Sequence, residues 1–234
     1  METLISAVPT SKTKSQSNQA GLALVEIIVA LVLIAVIFTT VPLPSLDPES
    51  QNLEESVLDF QRAIRFSTDE AIIRNAIVRI SINLDADPQT YGIEASDDPT
   101  LVLEESVDLE ELSSSEREAY EAKQENMAKR FQLIPEFSDK EKEMPDGIYV
   151  LGLARAGGQS LRNTGKVHLY FYPSGEKEEA LLFISSSSQL VYLDIPSFEN
   201  SVGVDYTNYT ELELRNIDLA QETKIKQIYD KWSR

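Results

Sequence analysis

The sequence contains no cysteine and one histidine among its 234 residues. Disulfides, thiolate nucleophiles and zinc sites built from several cysteines or histidines are therefore excluded. The histidine, His168, lies in a segment with strand character, and we interpret it as an ordinary strand residue. Because cysteine is absent altogether, its usage does not identify the cellular compartment.

Basic residues are also scarce. Lysine and arginine total 21 against 39 aspartates and glutamates, which gives a formal net charge of −18. A protein that binds nucleic acid presents a basic surface to the phosphates. We therefore expect no nucleic-acid partner.

The motifs of common cofactor sites are missing. Gly165-Lys166 lacks the upstream glycine of a phosphate-binding loop. The pairs Asp85/Asp87 and Asp97/Asp98 offer oxygens to calcium, but without the spacing of an EF-hand. No carboxylate pair stands out for acid–base chemistry. We expect no cofactor, no metal site and no enzymatic activity.

The chain does contain a long apolar run over residues 22–41, preceded by a polar leader, residues 1–21, whose first 19 residues we expect to be disordered. As a helix the run is about 30 Å long, which matches the hydrocarbon core of a bilayer. Lysines precede it and only acids follow it as far as Glu55, an asymmetry that places the leader in the cytoplasm. A secretory signal is the alternative, but its apolar core is shorter. We predict a retained membrane-spanning helix.

Glu26 lies near the start of this run. Its carboxylate either reaches the lipid headgroups or is neutralised by a charge nearby. If the chain is cut after Gly21, the new amine of Leu22 lies four residues before Glu26 on the same helix face. The amine and the carboxylate could then pair, within one chain or between packed neighbours.

This arrangement, a polar leader, Gly21, an apolar run and Glu26, resembles the prepilin signal of type IV pilins and type II secretion pseudopilins. The resemblance implies that prepilin peptidase cleaves between Gly21 and Leu22 and that Leu22 is N-methylated. It also implies that Glu26 is required for assembly into a filament. The chain departs from the family in having Leu22 where Phe or Met is usual, and in the length of its leader.

Periodicity predicts the order of elements after the membrane helix. Prolines indicate a break over residues 42–52. Residues 49–73 have one apolar stripe and are predicted to form an amphipathic helix; the stripe consists of Leu53, Val57, Phe60, Ile64 and Ala71. Residues 78–84 alternate as a half-buried strand, and residues 91–94 could pair back on it as a hairpin.

Residues 97–146 have a strong acidic excess, and we interpret them as an exposed insertion. Ser115 and Glu118 fit a capping box, so a helix is predicted to follow to about Phe131. This helix is either a solvated face or a docking surface for a basic partner.

The rest of the chain is rich in strand signals, and a turn at Pro173-Ser-Gly175 is predicted to join two of the strands. Strands are predicted at 147–154, 166–172, 180–185, 190–195, 202–206 and 211–214, followed by a helix at 219–232. Short connections imply antiparallel pairing, so the fold class is α+β, with the amphipathic helix packed on antiparallel sheet. The predicted domain covers residues 53–215, and residues 216–234 form a C-terminal helical segment.

The passage from Glu70 to Asp85 and the late strands from Tyr170 to Ile184 resemble the H-type minor pseudopilins and the FimT/FimU-type minor pilins. This resemblance implies a pilin-like subunit near the tip of a periplasmic pseudopilus in type II secretion, anchored in the bacterial inner membrane with its domain in the periplasm. The implied partners are prepilin peptidase, the tip-complex pseudopilins and the major shaft subunit. A minor pilin of a type IV or DNA-uptake pilus and an uncleaved, membrane-anchored binding domain remain alternatives.

Overall fold

The computed structural model describes residues 17–40, 48–96, 113–156 and 159–233. The chain divides into two compact units, Met1–Leu46 and Asp47–Arg234. The helices are α1 (Ser17–Thr40), α2 (Pro48–Arg74), α3 (Ser114–Ala128), the 3₁₀ helix η1 (Glu213–Asn216) and α4 (Ile217–Trp232). The strands are β1 (Val78–Asn83), β2 (Thr90–Ser96), β3 (Phe131–Leu133), β4 (Lys142–Glu143), β5 (Tyr149–Arg155), β6 (Gln159–Arg162), β7 (Lys166–Phe171), β8 (Ala180–Ser185), β9 (Gln189–Ile195) and β10 (Gly203–Asn208).

Helix α1 is the described part of the first unit. It begins at Ser17, so the leader residues 17–21 are helical, although disorder was predicted through Gln19. Gln19 and Ala20 favour helix, and adding residues to an existing helix costs little. Within the described residues, no helix combines the length and apolar content needed to cross a membrane.

Helix α2 opens the second unit and agrees with the helix predicted at 49–73. Residues 41–47 of the predicted break lie outside the described residues, and residues 48–52 are helical rather than broken. Pro48 occupies the first helical position, where its missing N–H costs nothing. The helix ends at Arg74. Asn75 follows with a φ of 48°, which permits the Ala76 amide to donate to the Ala71 carbonyl at 3.2 Å.

The strands form two five-stranded antiparallel sheets. Sheet A has the order β3-β2-β1-β7, with β4 also paired to β2, and sheet B has the order β10-β9-β8-β5-β6. The α+β class with a helix on antiparallel sheet is confirmed, as is the hairpin of β1 and β2. The turn at Gly175 is present and connects β7 to β8 along the chain, as predicted. Because β7 lies in sheet A and β8 in sheet B, this connection leads the chain from one sheet to the other.

The main core lies between α2 and one face of each sheet. All five residues of the predicted α2 stripe are buried there, which confirms the stripe. A second cluster packs α4 on the other face of sheet B, through buried residues that include Ala220, Phe183 and Leu181. The prediction of strand at 211–214 is wrong, because residues 211–212 form a turn and η1 begins at Glu213 and leads into α4. The Glu213 carboxylate holds this turn by accepting hydrogen bonds from the Thr210 amide and hydroxyl.

Strand β1 is buried on both faces rather than half-buried as predicted. Ile80 and Ile82 face the main core, while Arg79 and Ser81 are buried on the opposite face. Arg79 pairs with Glu94 at 2.6 Å, and its guanidinium lies 3.9 Å from the ring centroid of Phe131. A segment distant in sequence therefore covers the outer face of sheet A.

The same observation corrects the interpretation of residues 97–146 as an exposed insertion. Residues 131–146 supply β3 and β4, and they bury three side chains, those of Phe131, Ile134 and Met144. The described side chains of α3 are exposed as predicted, apart from the half-buried Met127. The helix ends at Ala128, and its capping box uses Ser113 and Glu116 instead of Ser115 and Glu118.

The first turn of α2 is fastened to sheet B. The Glu49 carboxylate accepts hydrogen bonds from the amide and hydroxyl of Ser187, in the turn between β8 and β9. Asn52 donates to the Asp146 carbonyl at 3.2 Å. Gly147 has a φ of 79°, and a β-carbon there would come within 3.1 Å of the Glu49 side chain, so only glycine suits this contact.

Candidate functional site

The apolar surface of α1 is the first feature that demands a functional explanation. Over residues 25–36, nine large apolar side chains are each at least half exposed, and they surround the helix on every side. A helix that is apolar all round is stable only when other apolar groups cover it. At roughly 1.5–3 kcal/mol for each fully buried side chain, covering the exposed halves would contribute on the order of 10 kcal/mol.

The three residues predicted from the prepilin signal all lie in α1. Gly21 and Leu22 are helical in the backbone, and Glu26 is exposed one turn after Leu22. In the intact chain the Leu22 nitrogen is a peptide amide, so a charged partner for Glu26 exists at that position only after cleavage. The helix thus provides the i, i+4 spacing that pairing requires, while cleavage, methylation and the assembly role remain predictions.

A cleft of about 430 Å³ lies between α2 and the segment 138–145. Asp59 lines it and lies 2.8 Å from Arg62 and 3.7 Å from Lys142. Burial raises the pKa of Tyr91 above its ordinary value, and the neighbouring Asp59 carboxylate, hydrogen-bonded to this phenol, raises it further. This cleft could not be predicted from local sequence patterns, because its two walls lie far apart along the chain.

Three of the charged side chains that line the cleft, those of Asp59, Glu141 and Lys142, have partners within the protein. Glu141 accepts a hydrogen bond from Thr90 at 2.7 Å and lies 3.6 Å from Lys166. The Lys142 ammonium lies 4.5 Å from the ring centroid of Phe137. These contacts hold the segment 138–145 against α2 and β2, which favours a structural role for the cleft over ligand binding.

His168 lies in β7, as predicted from the sequence. Burial lowers its pKa to about 3, with further lowering by the charges of Arg79, Arg155 and Lys166. Its Nδ1 atom has no hydrogen-bond partner among the described residues. The Arg155 guanidinium donates to the His168 carbonyl at 2.6 Å and lies 3.5 Å from Glu178. The imidazole is therefore neutral and surrounded by cations.

No described part of the chain gathers three or more histidine, aspartate or glutamate side chains that could hold a metal ion. Asp85, considered above for calcium, instead accepts a hydrogen bond from the Gly165 amide at 2.9 Å. Asp97 and Asp98 lie outside the described residues.

Comparison with known proteins gives a distant structural similarity. No family model matches the chain, and no curated protein matches it. Two solved structures of the minor pseudopilin EpsH from the type II secretion system of Vibrio cholerae are similar to it, at 9% and 14% identity. They cover 69% and 67% of this chain and 98% and 97% of their own, with TM-scores of 0.38 and 0.36. The chain is thus similar to minor pseudopilin structures, but at such TM-scores the similarity alone assigns neither a fold nor a role.

Proposed function

We propose that this chain is a structural, non-enzymatic subunit of a pilin-like filament, of the minor pseudopilin type found in type II secretion. The observation that carries the proposal is the combination of Gly21, the apolar helix that follows it and Glu26 one turn into that helix. The antiparallel α+β domain that follows is compatible with this role.

In the proposed mechanism, prepilin peptidase cuts between Gly21 and Leu22 and the new N-terminus is methylated. Helix α1 then passes from the inner membrane into a bundle of equivalent helices, while the domain stays in the periplasm. Its partners are the neighbouring pseudopilins of the tip and the shaft. As α1 moves from the membrane into the bundle, neighbouring helices replace the lipid around it. Its apolar side chains therefore remain covered throughout.

Energetics separate the role of Glu26 from membrane insertion. A carboxylate within the membrane costs about 2.5–3.5 kcal/mol at the centre and less near the interface. The order of 10 kcal/mol estimated for covering the apolar side chains is larger. Helix α1 therefore enters lipid with or without Glu26. In the bundle, an unpaired Glu26 would be costly, whereas pairing with a Leu22 amine fixes the register of neighbouring helices.

Mass spectrometry of the protein purified from its native membrane tests the processing. We expect an N-terminus at N-methylated Leu22. A chain that retains Met1 and the leader would contradict the proposal and leave a membrane-anchored domain.

A Glu26→Gln variant tests the assembly role, because it removes the charge and keeps the side-chain shape. We expect normal membrane recovery but strongly reduced co-sedimentation with filaments. Glu222→Gln, which alters an exposed carboxylate on α4, is the matched control and should assemble normally. Normal assembly of the Glu26→Gln variant would rule out the pairing.

A further inference from the structure

The end of the second unit at which α2 terminates carries exposed apolar side chains. Ile72 is 51% exposed, and Ile73 and Phe198 are each 75% exposed. We call these three residues the end patch. Large apolar side chains gathered on a protein surface mark interaction sites more often than isolated ones do.

Contacts through the turn after β7 connect the two halves of the end patch. A β-carbon at Gly175 would lie 3.4 Å from the Ile72 side chain, so this turn touches the end of α2. Two residues later, the Lys177 amide donates to the Ser197 carbonyl at 3.0 Å, directly before Phe198.

Phe198 is exposed because the loop that carries it is held in place. The Lys177 side chain is only 3% exposed, and its ammonium donates to the Glu199 carbonyl at 2.6 Å. Ser197 contributes a longer contact to the Glu179 carboxylate, at 3.4 Å. The loop is therefore tied on both sides of Phe198, and the ring points outward from an anchored segment.

The border of the end patch is acidic. Four exposed carboxylates lie beside it, those of Asp69, Glu176, Glu179 and Glu199. Asp69 is one helical turn before Ile72, Glu176 and Glu199 directly follow Gly175 and Phe198, and Glu179 accepts from the Ser197 hydroxyl. Two cations of α2 lie near it. The Arg74 guanidinium is bound by Glu70 and by Glu136, the latter at 2.9 Å. Arg65 is exposed and lies seven residues before Ile72 on the same helix face, so the four carboxylates still outnumber the exposed cations. Lys177 is buried with its ammonium on the Glu199 carbonyl, so its side chain is not accessible to a docking partner.

We propose that the end patch docks a protein partner whose contact surface is apolar at its centre and bordered by lysine and arginine. An apolar centre with a complementary charged border is the usual anatomy of a protein interface. A second copy of this chain would bring the same carboxylates face to face, and its net charge of −18 would add to the repulsion. Anionic lipid and nucleic acid are repelled for the same reason. The proposal does not depend on cleavage at Gly21 or on the assembly of α1.

Site-specific photo-crosslinking of the full chain in its native host tests this surface. The photoreactive residue p-benzoylphenylalanine replaces Phe198 or Ile73 in separate variants. The matched control replaces Leu212, which is also 75% exposed but lies beyond β10, at the opposite end of sheet B. We expect one discrete adduct from positions 198 and 73, at about fivefold or more the yield from position 212. Peptide mapping should place lysine or arginine beside the crosslinked partner segment.

Charge reversal separates specific docking from general apolar adhesion. In the crosslinking chain, the double substitution Glu176→Lys and Glu199→Lys should reduce the adduct about tenfold, because two favourable charge contacts become repulsive. The control pair Glu211→Lys and Glu222→Lys, at exposed positions elsewhere, should leave it unchanged. Equal labelling from position 212, adducts with this chain alone, absence of adducts, or indifference to charge reversal would each overturn the proposal.

Discussion

Replacement of residues 97–130 by the two-residue turn Asn-Gly is predicted to leave the domain folded. Ser96 at the end of β2 and Phe131 at the start of β3 are direct partners across an antiparallel ladder. The intervening residues therefore leave and re-enter the sheet at one point. A two-residue turn is the usual closure of such a pair, and Asn-Gly adopts the required backbone conformation.

The expected change in the free energy of unfolding is small. Within the described part of the segment, Met127 is the half-buried side chain that packs on Ile77, Phe131 and Tyr170. Losing this partial burial costs about 1 kcal/mol. Shortening the loop lowers the entropy cost of closing it by about 2 kcal/mol, which offsets the loss.

Deletion of residues 97–146 provides the contrast. It removes β3, β4 and the buried side chains of Phe131, Ile134 and Met144. Large-to-small changes at such positions cost about 2–5 kcal/mol each, so the total approaches the 5–15 kcal/mol that typically stabilises a domain. It also uncovers the Arg79–Glu94 pair. We therefore expect this deletion to abolish the fold.

Urea titration followed by far-UV circular dichroism and by the fluorescence of Trp232, the one tryptophan of the chain, distinguishes these outcomes. The Asn-Gly variant should unfold cooperatively, and its free energy of unfolding should lie within about 2 kcal/mol of that of the parent chain. The larger deletion should show no cooperative transition. If the Asn-Gly variant has lost its transition, or if the larger deletion keeps one, the reasoning about β3 is wrong.

Three further predictions concern the cores. Since the pKa of His168 is about 3 when folded and about 6.5 when unfolded, stability should fall as pH drops below 6.5, by up to about 2 kcal/mol at pH 5; urea midpoints for His168→Gln should be less sensitive to pH. Arg79→Leu should lower the free energy of unfolding by about 3–5 kcal/mol, because it leaves the buried Glu94 carboxylate without its partner. The double variant Arg79→Leu and Glu94→Leu should recover most of this stability, which thermal denaturation of both variants will measure. Ile225→Ala should lower the free energy of unfolding by about 2–4 kcal/mol and shift the fluorescence of Trp232. If neither changes, α4 is not packed on sheet B.

The helices and hairpins that arise from local patterns could be predicted from the sequence. The α2 stripe follows a 3.6-residue period, and the β1 alternation continues without interruption into a turn. The candidate assembly residues Gly21, Leu22 and Glu26 were also identified from sequence, because the prepilin-like signal is contiguous. These are features whose determining residues lie next to one another.

Features that depend on distant segments could not be predicted. Burial of Arg79 and Ser81 requires the cover supplied around Phe131, about 50 residues later in the chain. Local ambiguity had a different cause: Ser113 with Glu116 and Ser115 with Glu118 both fit a capping box, and spacing alone does not choose between them. The Thr-x-x-Glu spacing of Thr210 and Glu213 is a local signal for the hydrogen-bonded turn that stands where strand was predicted.

The bond between Glu49 and Ser187 has a mechanical consequence. A chain segment attached ahead of Pro48 joins the domain at a point that is secured to the turn between β8 and β9. Tension applied at this point acts on both α2 and the β8–β9 hairpin, so the first turn of α2 cannot unfold without also breaking its hydrogen bonds to Ser187. A subunit that is pulled by its N-terminal segment would then transmit the force to the folded domain as a unit.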